Sequence, residues 1–139
     1  MRIYFLGGLL AILSTIGCGG SGALPTAPAS GKVLLDGEPV SGGSITFSPI
    51  GTGKGNAGKP ASGAVGSDGT FKLGTYSDAD GAVIGKHKVT YSPPAPETKT
   101  NPDGHSVQVP GKYDGMSVKA SEVEIKSGSN TDLKIELGK

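Results

Sequence analysis

Few residues in this 139-residue chain carry the chemistry of a reactive or ligating group. There is one cysteine, Cys18, and there are two histidines, His87 and His105. A zinc site takes three or four Cys, His or carboxylate ligands, so no metal or other cofactor is expected. His87 lies on the apolar face of an alternating segment, Lys86-His87-Lys88-Val89-Thr90-Tyr91, and reads as a packed stand-in for an aromatic residue. His105 sits among Pro and Gly and reads as solvated. Asp78-Ala79-Asp80-Gly81 has the opening letters of a calcium loop. The EF-hand requires a third acidic position and a Glu at position 12, which counted from Asp78 is Val89. Asp78 and Asp80 are therefore candidates only for a looser calcium- or ligand-binding turn, with a plain acidic turn as the simpler reading. No Gly-x-Ser-x-Gly elbow occurs, and Gly-Thr-Gly-Lys-Gly (51–55) lacks the Ser or Thr of a phosphate loop. A Ser-His-Asp triad depends on spatial placement, which sequence order does not decide. Tyr76, Tyr91 and Tyr113 could form a stacking surface for sugar, although the chain has no Trp and Tyr91 reads as core. The expectation is a protein without catalytic residues.

Composition narrows the partners. Thirteen Lys and Arg against twelve Asp and Glu give a formal net charge of +1. The only arginine is Arg2. Nucleic-acid binding would need a basic excess on one face, so it is not expected. Gly numbers 25 and Pro 10, which argues against long helices.

The elements that position these residues fall into three stretches. Residues 1–17 begin with Met1 and Arg2, continue as a 14-residue uncharged apolar run from Ile3 to Ile16, and end at Gly17. The run is shorter than the roughly 20 residues that span a bilayer and matches the basic and apolar regions of an export signal. Residues 18–30 start at Cys18 and continue as Gly19 to Ser30, uncharged and without periodicity, which predicts a flexible tether. As a coil it would hold the following domain on the order of 20 Å from its attachment point. Residues 31–139 form the predicted domain.

Period-two alternation recurs through that domain. It predicts strands at Lys32-Leu35, Ser44-Ser48, Thr70-Leu73, Lys86-Tyr91, Glu122-Lys126 and Asp132-Leu137, with a weaker one at Ala61-Gly66. Asp36-Gly37, Asp68-Gly69, Asp80-Gly81 and Gly128-Ser129-Asn130 supply the turns between them. Seven short strands with one wet face predict an all-β, antiparallel β-sandwich. Ile50-Pro60 and Pro93-Met116 show no pattern and read as long loops. Leu, Ile, Val and Phe supply 22 of the 122 residues from Cys18 onward, so the core should be thin.

Two resemblances add to this. Ser14-Thr15-Ile16-Gly17-Cys18 resembles the lipobox of bacterial lipoproteins, with Thr15 where Leu is common. The resemblance implies a diacylglyceryl group on the Cys18 sulfur, cleavage between Gly17 and Cys18, and usually acylation of the new amino group. By the same analogy Gly19, not being Asp, slightly favours the outer membrane. The competing cleavage site is Ala27-Pro28-Ala29, which has the letters of an ordinary export cut. Downstream, Gly31-Lys32-Val33, Asp36-Gly37-Glu38-Pro39-Val40, Gly43-Ser44-Ile45-Thr46-Phe47-Ser48-Pro49, Ser67-Asp68-Gly69-Thr70-Phe71 and Gly85-Lys86-His87-Lys88-Val89-Thr90 are similar, in order and spacing, to the carboxypeptidase regulatory-like (prealbumin-like) β-sandwich. Val109-Pro110-Gly111-Lys112-Tyr113 and the charged-aliphatic last strand resemble small lipoproteins of planctomycete-type bacteria built on that module. The resemblance covers about 110 residues. It implies a seven-stranded Greek-key sandwich (prealbumin/Ig-like), exported and lipid-anchored, with no established activity. The related hydroxyisourate hydrolase uses His and Arg with a Tyr-Arg-Gly-Ser tail; this chain has no Arg beyond position 2 and ends Glu-Leu-Gly-Lys. The expected partners are the membrane, through the anchor, and an envelope protein or glycan, with the domain facing the periplasm or exterior.

Overall fold

The computed structural model describes residues 22–51 and 58–139. The described chain is all-β. Its strands are β1 (Thr26–Ala27), β2 (Ala29–Leu35), β3 (Glu38–Pro39), β4 (Ser44–Pro49), β5 (Ala61–Ala64), β6 (Thr70–Lys72), β7 (Ala82–Val83), β8 (Gly85–Ser92), β9 (Glu97–Thr100), β10 (Ser106–Val109), β11 (Ser117–Val118), β12 (Glu122–Ile125) and β13 (Asn130–Gly138). All seven strands that the alternation predicts are present, as β2, β4, β5, β6, β8, β12 and β13.

Two principal sheets share one core, an arrangement consistent with a β-sandwich. One sheet runs β11-β13-β2-β3, with β6 also paired to β2; the other runs β12-β8-β4-β5. Alternation explains which side chains face inward. On β8, His87, Val89 and Tyr91 are buried while Lys86, Lys88 and Thr90 are exposed. Val33 on β2 and Ile135 and Leu137 on β13 face them from the other sheet. Phe47 and Phe71 meet across the gap, ring centroids 6.1 Å apart. Each such fully buried side chain contributes about 1.5–3 kcal/mol, so a low aliphatic content still closes a core when nearly all of it points inward.

Asp36 and Gly37 both take positive φ, 52° and 85°, and join Leu35 to its partner Glu38. That is a two-residue turn whose handedness matches strand twist, and it needs Asn, Asp or Gly at both positions.

The structure departs from the sequence-based expectation in three places. First, strand structure begins inside the predicted tether. Ala27 and Ala29 are buried, β1 pairs with β7, and β2 starts at Ala29. Alanine carries little hydropathic signal, and these residues are held by backbone pairing. Second, the sheets are not wholly antiparallel. β13 runs parallel to β2, with Ile135 opposite Val33 and Leu137 opposite Leu35. Alternation reports which face is buried, not strand direction. Third, Pro93-Met116 is not an open loop throughout, because β9 and β10 form an antiparallel hairpin within it. Its residues are exposed apart from Val109, so no apolar face marks it in the sequence. Of the other predicted loop, residues 52–57 lie outside the described residues.

Candidate functional site

The predicted acidic turn lies where the chain enters the fold. β6 ends at Lys72, and buried Leu73 leads into the turn, its amide donating to Ala29 O and its carbonyl accepting from Gly81 N–H. Asp80 closes the turn from within. Its Oδ1 accepts the Thr75 amide at 2.6 Å, and its Oδ2 accepts the amides of Tyr76 at 3.0 Å and Ser77 at 3.2 Å. The Thr75 hydroxyl donates to Gly81 O at 2.8 Å. Ala79 takes a left-handed φ of 57°, a cost to a residue with a Cβ, which the surrounding hydrogen bonds hold in place. Burial opposes ionisation of Asp80, but the amides of Thr75, Tyr76 and Ser77 together outweigh it and hold the carboxyl below its ordinary range.

The same turn holds the start of the domain. Gly81 packs so closely on the Ala27 carbonyl that a Cβ there would collide with it. Thr26 and Ala27 pair with Val83 and Ala82, and the Ile84 amide donates to Pro25 O. The Leu24 amide donates to Tyr76 Oη at 2.9 Å. The turn therefore fastens residues 24–27, the earliest hydrogen-bonded part of the described residues.

The structure brings some predicted residues together and keeps others apart. Asp80 is the acceptor that organises the turn, while Asp78 is exposed and lines a polar cleft of about 650 Å³ with Lys72, Tyr76 and Ser77. Among the described residues, no group of three or more His, Cys, Asp or Glu is placed to hold a metal ion. His87 is fully buried, with Nε2 2.6 Å from Val83 O and its ring 6.0 Å from Phe47, as expected of an aromatic substitute. Its Nδ1 is buried without a hydrogen-bond partner. His105 is exposed at the end of the β9–β10 hairpin, its carbonyl accepting the Asn101 amide. Gly17 and Cys18, the predicted cleavage and lipidation residues, lie outside the described residues.

The three tyrosines do not form a platform. Tyr91 is buried and donates to Gly42 O at 2.9 Å; Tyr113 is buried and accepts the Ser41 amide at 3.2 Å. Tyr76 alone is half-exposed, with Lys59 Nζ 5.9 Å from its ring centroid. Burial, and then the neighbouring Tyr113, push the Tyr91 hydroxyl above its ordinary pKa. At the β5–β6 connection the Asp68 carboxyl is held low, first by the Thr70 hydroxyl at 2.6 Å and then by the Thr70 amide. Sequence reasoning missed a cleft of about 910 Å³ over β2, β6 and β13. Its signal was lysines recurring on the wet faces of three strands, but only sheet order shows that those strands are neighbours. The chain matches no protein-family model, no curated protein and no solved structure.

Proposed function

We propose that this chain is an exported protein, anchored to a bacterial membrane by lipid on Cys18 after cleavage between Gly17 and Cys18. Its domain serves as a non-catalytic structural or interaction module at the cell envelope. In this reading the β-sandwich is a seven-stranded Greek key of the carboxypeptidase regulatory-like type. The observation that carries it joins the leader to the fold. A 14-residue apolar run ends two residues before the only cysteine, and seven residues separate that cysteine from β1. Cleavage at Gly17-Cys18 leaves every described strand intact. The competing cut after Ala29 would remove β1 and the buried Ala27. Seven residues reach at most about 25 Å when extended, so the domain would stay close to the lipid surface. Two or more acyl chains make such an anchor stable.

The test is a comparison of wild type with Cys18→Ala by cell fractionation and intact-mass spectrometry of the extracted protein. The wild type should be membrane-bound, begin at residue 18 and carry added lipid mass. Unchanged membrane association of Cys18→Ala, or a full-length unmodified chain in the cytosol, would refute the anchoring.

A further inference from the structure

The outer face of the five-stranded sheet carries three lysines that make no close ion pair among the described residues, on a face that also holds Asp132 and Glu136. Strand register places Lys32 of β2 directly opposite Lys134 of β13. Lys72 of β6 pairs with Ser30, two residues along β2 from Lys32 and so on the same face. All three lysines are exposed, and their sequence neighbours Val33, Ile135, Phe71 and Leu73 point into the core. Adjacent strands lie about 4.8 Å apart, and like charges directly opposite one another weaken a sheet. None of the three forms an ion pair among the described residues, whereas Lys119 lies 3.9 Å from both Asp36 and Glu136. Asp68 interacts with Lys32 only at longer range, and Asp132 borders the same cleft without pairing.

These lysines rim the 910 Å³ cleft. Leu34 lines it on the outward face and is only partly buried, Leu133 borders it while packing against the core, and Ser30 and Thr131 add hydroxyls. Gly31 lies against the Leu133 carbonyl so closely that no side chain could stand there, which lets β2 and β13 approach each other beside the cleft.

We propose that this cleft binds a segment of an acidic polysaccharide. Carboxylates on the sugar would neutralise Lys32, Lys72 and Lys134. The C–H faces of the rings would pack on Leu34, and sugar hydroxyls would exchange hydrogen bonds with Ser30 and Thr131. Single-stranded nucleic acid fits less well, because no exposed aromatic side chain lines the cleft for base stacking. An acidic peptide added as a strand also fits less well, because β13, β2 and β6 are already paired to one another and leave β2 no free backbone edge there. The proposal rests on the reading of the domain as an interaction module and is independent of how the chain is anchored.

The full chain, extracted in a neutral detergent, should be titrated calorimetrically with oligogalacturonate, with neutral dextran as the uncharged control. The wild type should bind oligogalacturonate, more weakly as salt rises, and not bind dextran. Lys32→Gln/Lys134→Gln should weaken binding about threefold to tenfold, the scale of two exposed charge contacts, while Lys99→Gln in the hairpin should leave it unchanged. The double variant loses a like-charge pair, so its melting temperature should equal or exceed that of the wild type, which separates lost binding from lost fold. Absence of heat with the wild type, equal binding of dextran, or an unchanged affinity in the double variant would overturn the proposal. Oligogalacturonate binding by a chain found unlipidated would leave the cleft standing and remove the anchor. Proven lipidation without binding would do the reverse.

Discussion

Replacing Asp80 by Ala removes one side chain that accepts three backbone amides, from Thr75, Tyr76 and Ser77. Hydrogen bonds to a charged group contribute about 1.5–3 kcal/mol when sheltered. That value must be discounted here, because Tyr76 and Ser77 are exposed and their amides can return to water. Only the Thr75 amide is partly sheltered. The comparable loss of a helix-capping carboxylate costs about 0.5–2 kcal/mol. Release of the Ala79 left-handed strain is small beside this, since the turn must still join Leu73 to Gly81. We therefore expect Asp80→Ala to cost about 1–2 kcal/mol, a fall in melting temperature of about 4–8 °C for a domain of this size. Asp78→Ala, which removes an exposed carboxylate, should change it little. The effect must also follow pH with a definite sign. The folded-state pKa of Asp80 lies below its unfolded value, so its contribution is present above about pH 4 and is lost as pH falls through the lowered value. The gap between wild type and Asp80→Ala should be constant from pH 6 to 8 and narrow in acid. Thermal denaturation followed by circular dichroism across that range measures it. Equal melting temperatures at neutral pH, or a gap that widens in acid, would refute the assignment of Asp80 as the internal acceptor of the turn.

Two further outcomes are expected. His87→Ala opens a cavity at a fully buried site and should cost about 3–5 kcal/mol in denaturant unfolding. His87→Leu removes the unpartnered Nδ1 along with the ring and should cost much less, and a cost as large as that of Ala would show that the imidazole hydrogen bond, not its volume, matters there. Tyr91→Phe leaves Gly42 O without its donor and should cost about 1 kcal/mol. Because the Tyr91 pKa is raised in the folded state, the wild-type advantage should hold below about pH 10 and disappear as pH rises through the raised value. An advantage that persisted under alkaline conditions, where the hydroxyl ionises, would contradict that placement.

What was legible in the sequence follows from which physical signals a linear pattern carries. Glu122-Val123-Glu124-Ile125 and Asp132-Leu133-Lys134-Ile135-Glu136-Leu137 advertise their strands because one face is charged and the other aliphatic. His87 could be assigned to the core for the same reason, since its position in the alternation outweighs its polarity. The β9–β10 hairpin was illegible because neither of its faces is buried. The early start of the fold was illegible because Ala27 is held by pairing with Ala82 and close packing on Gly81, and Ala29 by its backbone contacts with Leu73 and Asn130. Asp78 and Asp80 look equivalent as letters. Only the turn geometry separates an exposed carboxylate from one that accepts three amides.

By itself the sequence determined that the domain is built of strands, which residues of the seven alternating strands face inward, and where the tight turns between them fall. Those features depend on the spacing of apolar residues and on residues such as Asp36 and Gly37 that tolerate positive φ. The tertiary structure decided which strands are neighbours and in which direction they run. The parallel pairing of β13 with β2 unites residues about a hundred positions apart. It sets Lys134 beside Lys32 and makes the lysine-rimmed cleft. Such pairings arise when two sheets close over one core, a requirement that no local pattern of residues records.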